Sequence, residues 1–304
     1  MVNSADIILN AYRAGIVIPA FNIPYLPMME PVIRAVIDQD SFAFIETARL
    51  EWFKFQAGGP DKIMTEYRKW HSPEHVRLHL DHVPVIDEDD VQVDFLPIIK
   101  AAIELGYDSV MIDGSRLSLD DNIAATHLVT ELAHSAGIPC EAELGAVLGH
   151  ESGPLPPYEE LFATGQGFTR VEEADRFVRE TGCDWLSVAV GSIHGAISGA
   201  QKDQKKVPAR LNLEHLDKLR AVTGIPLVLH GGSGVERDYV LAAVKKGIAK
   251  INIGSEIRQA YEQTWRATGQ VAAAQDSVYE SVTGLIRDYL GNSGIRATVT
   301  KANR

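Results

Sequence analysis

The stretch PLVLHGGSGVERDYVLAAVKKGIAKINIGSEIRQAYEQTW (226–265) holds one structural unit twice. An apolar run, PLVLHGG (226–232), breaks at a glycine-rich turn into a helix-patterned segment, RDYVLAAVKKG (237–247). A second run, KINIGS (250–255), leads into EIRQAYEQTW (256–265). Short apolar runs bounded by turn residues read as buried strands, and i, i+3, i+4 spacing between them reads as helix. Alternation of the two predicts a parallel sheet covered by helices.

The same rhythm runs back to the N-terminus. Further strand-like runs are IVIPAFNI (16–23), FAFIET (42–47), VRLHLDHV (76–83), SVMIDG (109–114), PCEAELG (139–145) and WLSVAVG (185–191). Helix-like stretches are PMMEPVIRAVIDQ (27–39), LPIIKAAIEL (96–105), DDNIAATHLVTELAHSAG (120–137), VEEADRFVRETG (171–182) and LEHLDKLRAVTG (213–224). A doubly wound sheet is one arrangement for such repeats. Eight units, at about 250 residues, suit closure into a (β/α)8 TIM barrel, which is the favoured reading. The expectation is a single barrel domain over residues 1–304, with an N-terminal helix at about 3–14 and a C-terminal helical extension at about 266–304. Its last stretch, GNSGIRATVTKANR, is expected to be loose at its end. The long segment 146–170 is rich in Gly and Pro, so it reads as a lid or a surface excursion and not as an interrupted helix.

Composition narrows the class. Of the 304 residues 45% are hydrophobic, and 29 basic against 41 acidic residues leave a net charge of −12. Such an acidic chain is a poor match for nucleic acid or anionic lipid. Cys140 and Cys183 form no C-x-x-C pair and no disulfide framework. The first residues lack a signal-peptide pattern, and no apolar stretch approaches about 18 residues. A cytoplasmic globular protein is expected.

Barrel active sites lie at the C-terminal ends of the strands, and there these strands turn polar. They present Asn22, Glu46, Thr47, Asp81, His82, Asp113, Glu141, Glu143, His230, Asn252 and Ser255, with His194 just past the sixth strand. Unpaired burial would cost a few kcal/mol for each such group, so a shared wet cavity is expected. Of ten histidines, His82, His194 and His230 each close a strand. Three imidazoles there would make an open Zn²⁺ site, with Glu143 as an added or alternative ligand. His79, inside the third strand, reads as a core histidine. Strict alternation puts Asp81 and His82 on opposite faces, so both reach the mouth only if regular strand geometry ends there. The turns at Gly231, Gly232 and Ser233 and at Asn252, Ile253, Gly254 and Ser255 precede helix N-termini, a favourable setting for phosphate.

Taken in order, HLDH (79–82), VMIDGS (110–115), AH (133–134), EAELG (141–145), HG (194–195), PLVLHGGSG (226–234) and KINI (250–253) make the chain, over about residues 5–265, resemble the class II, metal-dependent ketose-bisphosphate aldolases. The resemblance implies cleavage of a ketose phosphate, a sugar phosphate, to dihydroxyacetone phosphate and an aldehyde through a metal-stabilised enediolate. It implies zinc or another divalent metal on His82, His194 and His230, with Glu143 and Asp113 lining an alternative position. Asp81 would exchange the proton at the cleaved bond, and Glu151 would handle the enediolate proton. Gly195, Gly231 to Ser233 and Asn252 to Ser255, taken here with Asn22, would bind the phosphorylated half, with Na⁺ or K⁺ beside it.

The segment IETARLEWFKFQAGG after strand 2 departs from the family's small Ser/Gly-rich turn, as do Ser198 and Gly254 at positions where the family often has Lys and an acidic residue. Arg49 reads either as a contact for the aldehyde half or as an ion-pair partner of Glu46 or Glu51. Lys250, read at the start of strand 8, lies at the wrong end of the barrel for a Schiff base. The competing readings are a non-catalytic aldolase-like partner subunit and another metal-assisted barrel enzyme, a hydrolase or epimerase. Apolar residues in the C-terminal helices suggest a homodimer or homotetramer.

Overall fold

A computed structural model describes residues 2–147, 156–193 and 209–302. Its strands are β1 (Ile18–Asn22), β2 (Ala43–Ala48), β3 (Val76–Pro84), β4 (Ser109–Asp113), β5 (Cys140–Leu144), β6 (Trp185–Val188), β7 (Leu227–Leu229) and β8 (Ile248–Ile253). Each pairs in parallel with the next, and β8 returns to β1, so the sheet is a closed eight-stranded barrel. The doubly wound alternative is thereby excluded.

Alternation along each strand sorts the side chains. Ile45, Leu78, Val110, Leu186 and Ile251 pack in the layer between strands and helices. Ile18, Ala20, Phe42, Phe44, Trp185 and Val228 fill the lower barrel, which is closed from beneath by Ile7, Ile8 and Ala11 of α1 (Ser4–Ala14). Above this apolar plug come Glu46, His79, Glu141 and Lys250, all fully buried.

The outer ring comprises α2 (Met29–Asp38), α3 (Arg49–Lys54), α4 (Pro60–Trp70), α5 (Phe95–Leu105), α6 (Leu119–Ser135), α7 (Tyr158–Thr164), α8 (Val171–Thr181), α9 (Leu213–Thr223), α10 (Arg237–Val244), α11 (Ser255–Thr268) and α12 (Val271–Gly284), while α13 (Arg296–Val299) lies against α1 with Val299 in the lower cluster. Two features differ from the sequence reading. The crossover after β2 holds α3 and α4, which that reading missed. α4 buries only Ile63, Met64 and Tyr67 beneath polar residues, so its apolar stripe is thin. Segment 146–170 contains α7, whose Tyr158 hydroxyl accepts the Arg210 N–H at 2.6 Å. The C-terminal stretch is anchored near its start, where Asn292 Nδ2 donates to Val17 O at 2.6 Å and Arg296 Nε to Asp40 Oδ1 at 2.6 Å, while its final residues 303–304 lie outside the described residues.

Gly145 follows β5 at φ +83°, and a Cβ there would lie 2.7 Å from the Thr169 backbone nitrogen. Gly145→Ala combines a disfavoured backbone with a clash and is expected to cost about 1–3 kcal/mol. Calorimetry should show Tm lowered by several degrees, at about 2–4 °C per kcal/mol. An unchanged Tm would contradict the tight approach of these two loops.

Candidate active site

The site is assembled by an irregularity in β3. Leu80 pairs with Val110 and Val83 with Ile112, so Asp81 and His82 together lie opposite the single residue Met111. This is a β-bulge, which adds one residue and re-aims a side chain. His82 sits at φ +34°, a region that non-glycine residues rarely occupy. The bulge brings His82 to the mouth beside Asp81, and the strand runs on to Pro84. The expected end of regular geometry is therefore a local bulge within a continuing strand.

Two amides from strands flanking the β1–β8 seam hold Asp81. Asn22 Nδ2 donates to Oδ2 at 2.9 Å, and Asn252 Nδ2 donates to Oδ1 at 3.1 Å. Burial raises the carboxyl pKa, but the positive potential of His82, His230 and Lys250 outweighs it and holds Asp81 below the usual carboxylate range.

Beside it, His82 Nε2 faces His230 Nδ1 at 2.7 Å. His82 Nδ1 lies 3.3 Å from Asp113 Oδ2, and Glu143 Oε2 lies 3.4 Å from His230 Nδ1. His230 Nε2 is 2.7 Å from Glu141 Oε1. Burial works against protonation of both imidazoles, yet the surrounding carboxylates pull His82 well above its usual pKa and His230 up to about 9. Such a site favours positive charge between its carboxylates. Asp81, His82 and His230 form one group able to hold a metal ion, and His82, Asp113 and Glu143 form another. Nitrogen and oxygen donors in this mixture suit a divalent cation.

The family model for class II fructose-bisphosphate aldolase matches residues 2–297. The chain belongs to that family. It is 34% identical to a fructose-bisphosphate aldolase of Geobacillus stearothermophilus over 226 residues, 74% of this chain and 67% of that one. It is 30% identical to a fructose-bisphosphate aldolase of Streptococcus pyogenes over 293 residues, 92% of this chain and 87% of that one. The crystal structure of the YdjI aldolase of Escherichia coli K12 superposes with a TM-score of 0.72 at 25% identity, covering 96% and 98% of the two chains. Class II aldolases are metal-dependent lyases that break a carbon–carbon bond, and the donor set here fits such an ion. Among the described residues no helix is long and apolar enough to cross a membrane.

Other residues of this class II aldolase fall as follows. His194, Gly195, Ser198 and Glu151 lie outside the described residues. In the β7–β8 turns, Gly232 N–H donates to Asn252 O at 3.0 Å, and a Cβ on Gly232 would lie 2.4 Å from Ile251, so only glycine fits this approach. Ser233 is buried there, 3.5 Å through Oγ from the Glu256 N–H at the start of α11. Ile253 belongs to the strand–helix layer, which leaves only its backbone for the mouth. Asn22 and Asn252, expected as substrate contacts, are bonded to Asp81.

Arg49 pairs with neither Glu46 nor Glu51. Its Nη1 lies 3.2 Å from Asp87 Oδ2, because the loop after β3 carries that carboxylate across to α3. Glu51 is buried, with Oε2 accepting the Ala48 N–H at 2.8 Å. Burial and the Asp81 charge push its pKa up to about 8 against that hydrogen bond. Lys250 is not at the end of its strand. It is the third residue of β8, points inward, and pairs with Glu46 and Glu141 at 3.1 and 3.0 Å. Because β8 begins two residues earlier than its apolar run suggests, this lysine sits one inward position below Asn252.

Proposed function

We propose that this class II aldolase reversibly cleaves a ketose phosphate to dihydroxyacetone phosphate and an aldehyde, with zinc held by His82, His230 and His194 and with Asp81 as the proton-transfer group. The observation that carries the reading is the pair of imidazole nitrogens 2.7 Å apart beside a carboxylate clamped by two amides. A cation bound there supplies Lewis acidity at the ketone oxygen, where charge collects as the bond breaks. Glu143 and Asp113 form the alternative position.

The chain's own groups handle the protons. Asp81, kept ionised, takes the proton from the hydroxyl on the carbon that becomes the aldehyde. That oxygen's electron pair forms the C=O bond, and the pair of the broken C–C bond moves toward the ketone. The resulting enediolate carbon then takes a proton, a role assigned to Glu151. The turns Gly231–Ser233 and Asn252–Ser255, with Gly195, receive the phosphate through two helix N-termini and through backbone N–H groups other than that of Gly232, which donates to Asn252 O, and a monovalent cation suits the same place. Exposed Trp265 and Val271 beside the α11–α12 turn suit a homodimer or homotetramer.

Metal analysis together with a retro-aldol assay on a panel of ketose mono- and bisphosphates tests the reading. Absence of metal-dependent cleavage across the panel would overturn it. Borohydride added with substrate is expected to leave activity intact, because Lys250 is buried and its charged form is stabilised by Glu141 and Glu46. Inactivation with a mass gain on a lysine would point instead to an imine route.

A further inference from the structure

Lys250 is the most unusual group that the chemistry above leaves unused. It is a fully buried lysine in the middle of the barrel, and its ammonium has three protons and no acceptor capacity. It donates to Asn252 Oδ1 at 2.7 Å and forms ion pairs with Glu141 Oε2 at 3.0 Å and Glu46 Oε2 at 3.1 Å. Two of these partners reach the site with their other ends. Glu141 Oε1 is 2.7 Å from His230 Nε2, while Trp185 Nε1 steadies Glu141 Oε2 at 2.6 Å. Asn252 Nδ2 donates to Asp81 Oδ1 at 3.1 Å.

We propose that Lys250 is a positioning residue that sets the metal ligand His230 through Glu141 and the proton-transfer group Asp81 through Asn252. The Asn252 arm works by orientation. An amide is a donor at one end and an acceptor at the other, so a cation on Oδ1 forces Nδ2 toward Asp81. Without that cation the amide is free to turn its oxygen onto the carboxylate, which repels it. The Glu141 arm works by fixing an imidazole through its remote nitrogen. Partners of this kind change metal affinity by about 10–100-fold. This inference rests on the roles given to His230 and Asp81 above.

Lys250→Met alone would leave Glu46 buried without its ion-pair partner and Glu141 with the imidazoles of His230 and His79 as its remaining basic neighbours. The informative variant is Lys250→Met with Glu46→Gln, which removes one charge of each sign. Glu46→Gln alone is the reference, because it leaves Lys250 on Glu141 and Asn252. Metal Kd is measured by competition with a chromogenic chelator, and kcat and KM are measured separately at saturating metal.

Relative to the reference, the double variant is expected to bind metal at least about 10-fold more weakly. Its kcat at saturating metal is expected to fall at least about 10-fold, with KM within a few-fold. A lysine that merely fills the barrel would leave that split unmoved. A folded double variant with both Kd and kcat within about threefold of the reference overturns the proposal.

Should the double variant not fold, the wild-type chain still decides the matter. The slowly exchanging ammonium ¹H–¹⁵N signal of Lys250, assigned by its shift in Glu46→Gln, is expected to move when zinc is added to the apoprotein. A signal indifferent to zinc overturns the coupling. Loss of metal in His230→Ala and of turnover in Asp81→Ala, with Lys250 variants normal, would sink this inference alone. Full metal occupancy in His230→Ala would instead sink the reading of the site.

Discussion

Asp81→Ala is expected to lower turnover at least about 100-fold while the metal stays bound, since a positioned acid–base group contributes about 10²–10⁴-fold. Its carboxylate is held on both oxygens by Asn22 and Asn252, so it has a set place and a set charge. Its neighbours keep it ionised against the effect of burial. Removing it leaves His82, His230, Asp113 and Glu143 in place, and so leaves most of the donor set. The loss should appear in kcat and kcat/KM together, which marks an interaction made in the transition state. Asp81→Asn separates charge from shape: it keeps the outline but cannot accept the proton, and should be as slow as the alanine variant. Steady-state kinetics with metal content measured on the same samples check both. Near-normal turnover in either variant would remove Asp81 from the mechanism.

His230→Ala is expected to lose the metal. The residue lies just past the end of β7 (Leu227–Leu229), fully buried, with one nitrogen toward His82 and the other toward Glu141. Truncation removes a donor and leaves Glu141 without one of its partners, although Lys250 and Trp185 still hold it. The variant should therefore fold, purify with less than one metal per chain, and recover little activity on dialysis against zinc. Its affinity, by chelator competition, should fall well beyond the 10–100-fold typical of a remote partner. A fully loaded variant would contradict the ligand assignment.

Much of the frame was legible from local pattern. Strand and helix periodicities lie in the order of apolar residues, and eight repeats suit a closed barrel. The polar residues at the strand ends were equally visible, because no packing argument accounts for so many at one height. α4 escaped because its face carries only Ile63, Met64 and Tyr67 among charged residues. Lys250 was misread because a lysine in an apolar run looks like the run's boundary. Nothing near it in the chain announces Glu46 and Glu141, its counterions across the barrel.

By itself, then, the order of residues determined the repeat, the count of strands and which chemistry stands at their ends, since these depend on neighbours a few positions apart. Barrel closure decided the rest. It brought Asp81 within reach of Asn252, 171 positions away, and His82 within reach of His230, 148 positions away. The pairing of β3 with β4 also carries the bulge that turns His82 to the mouth. Which inward side chains meet depends on the register between strands, and that is set by the whole sheet closing on itself.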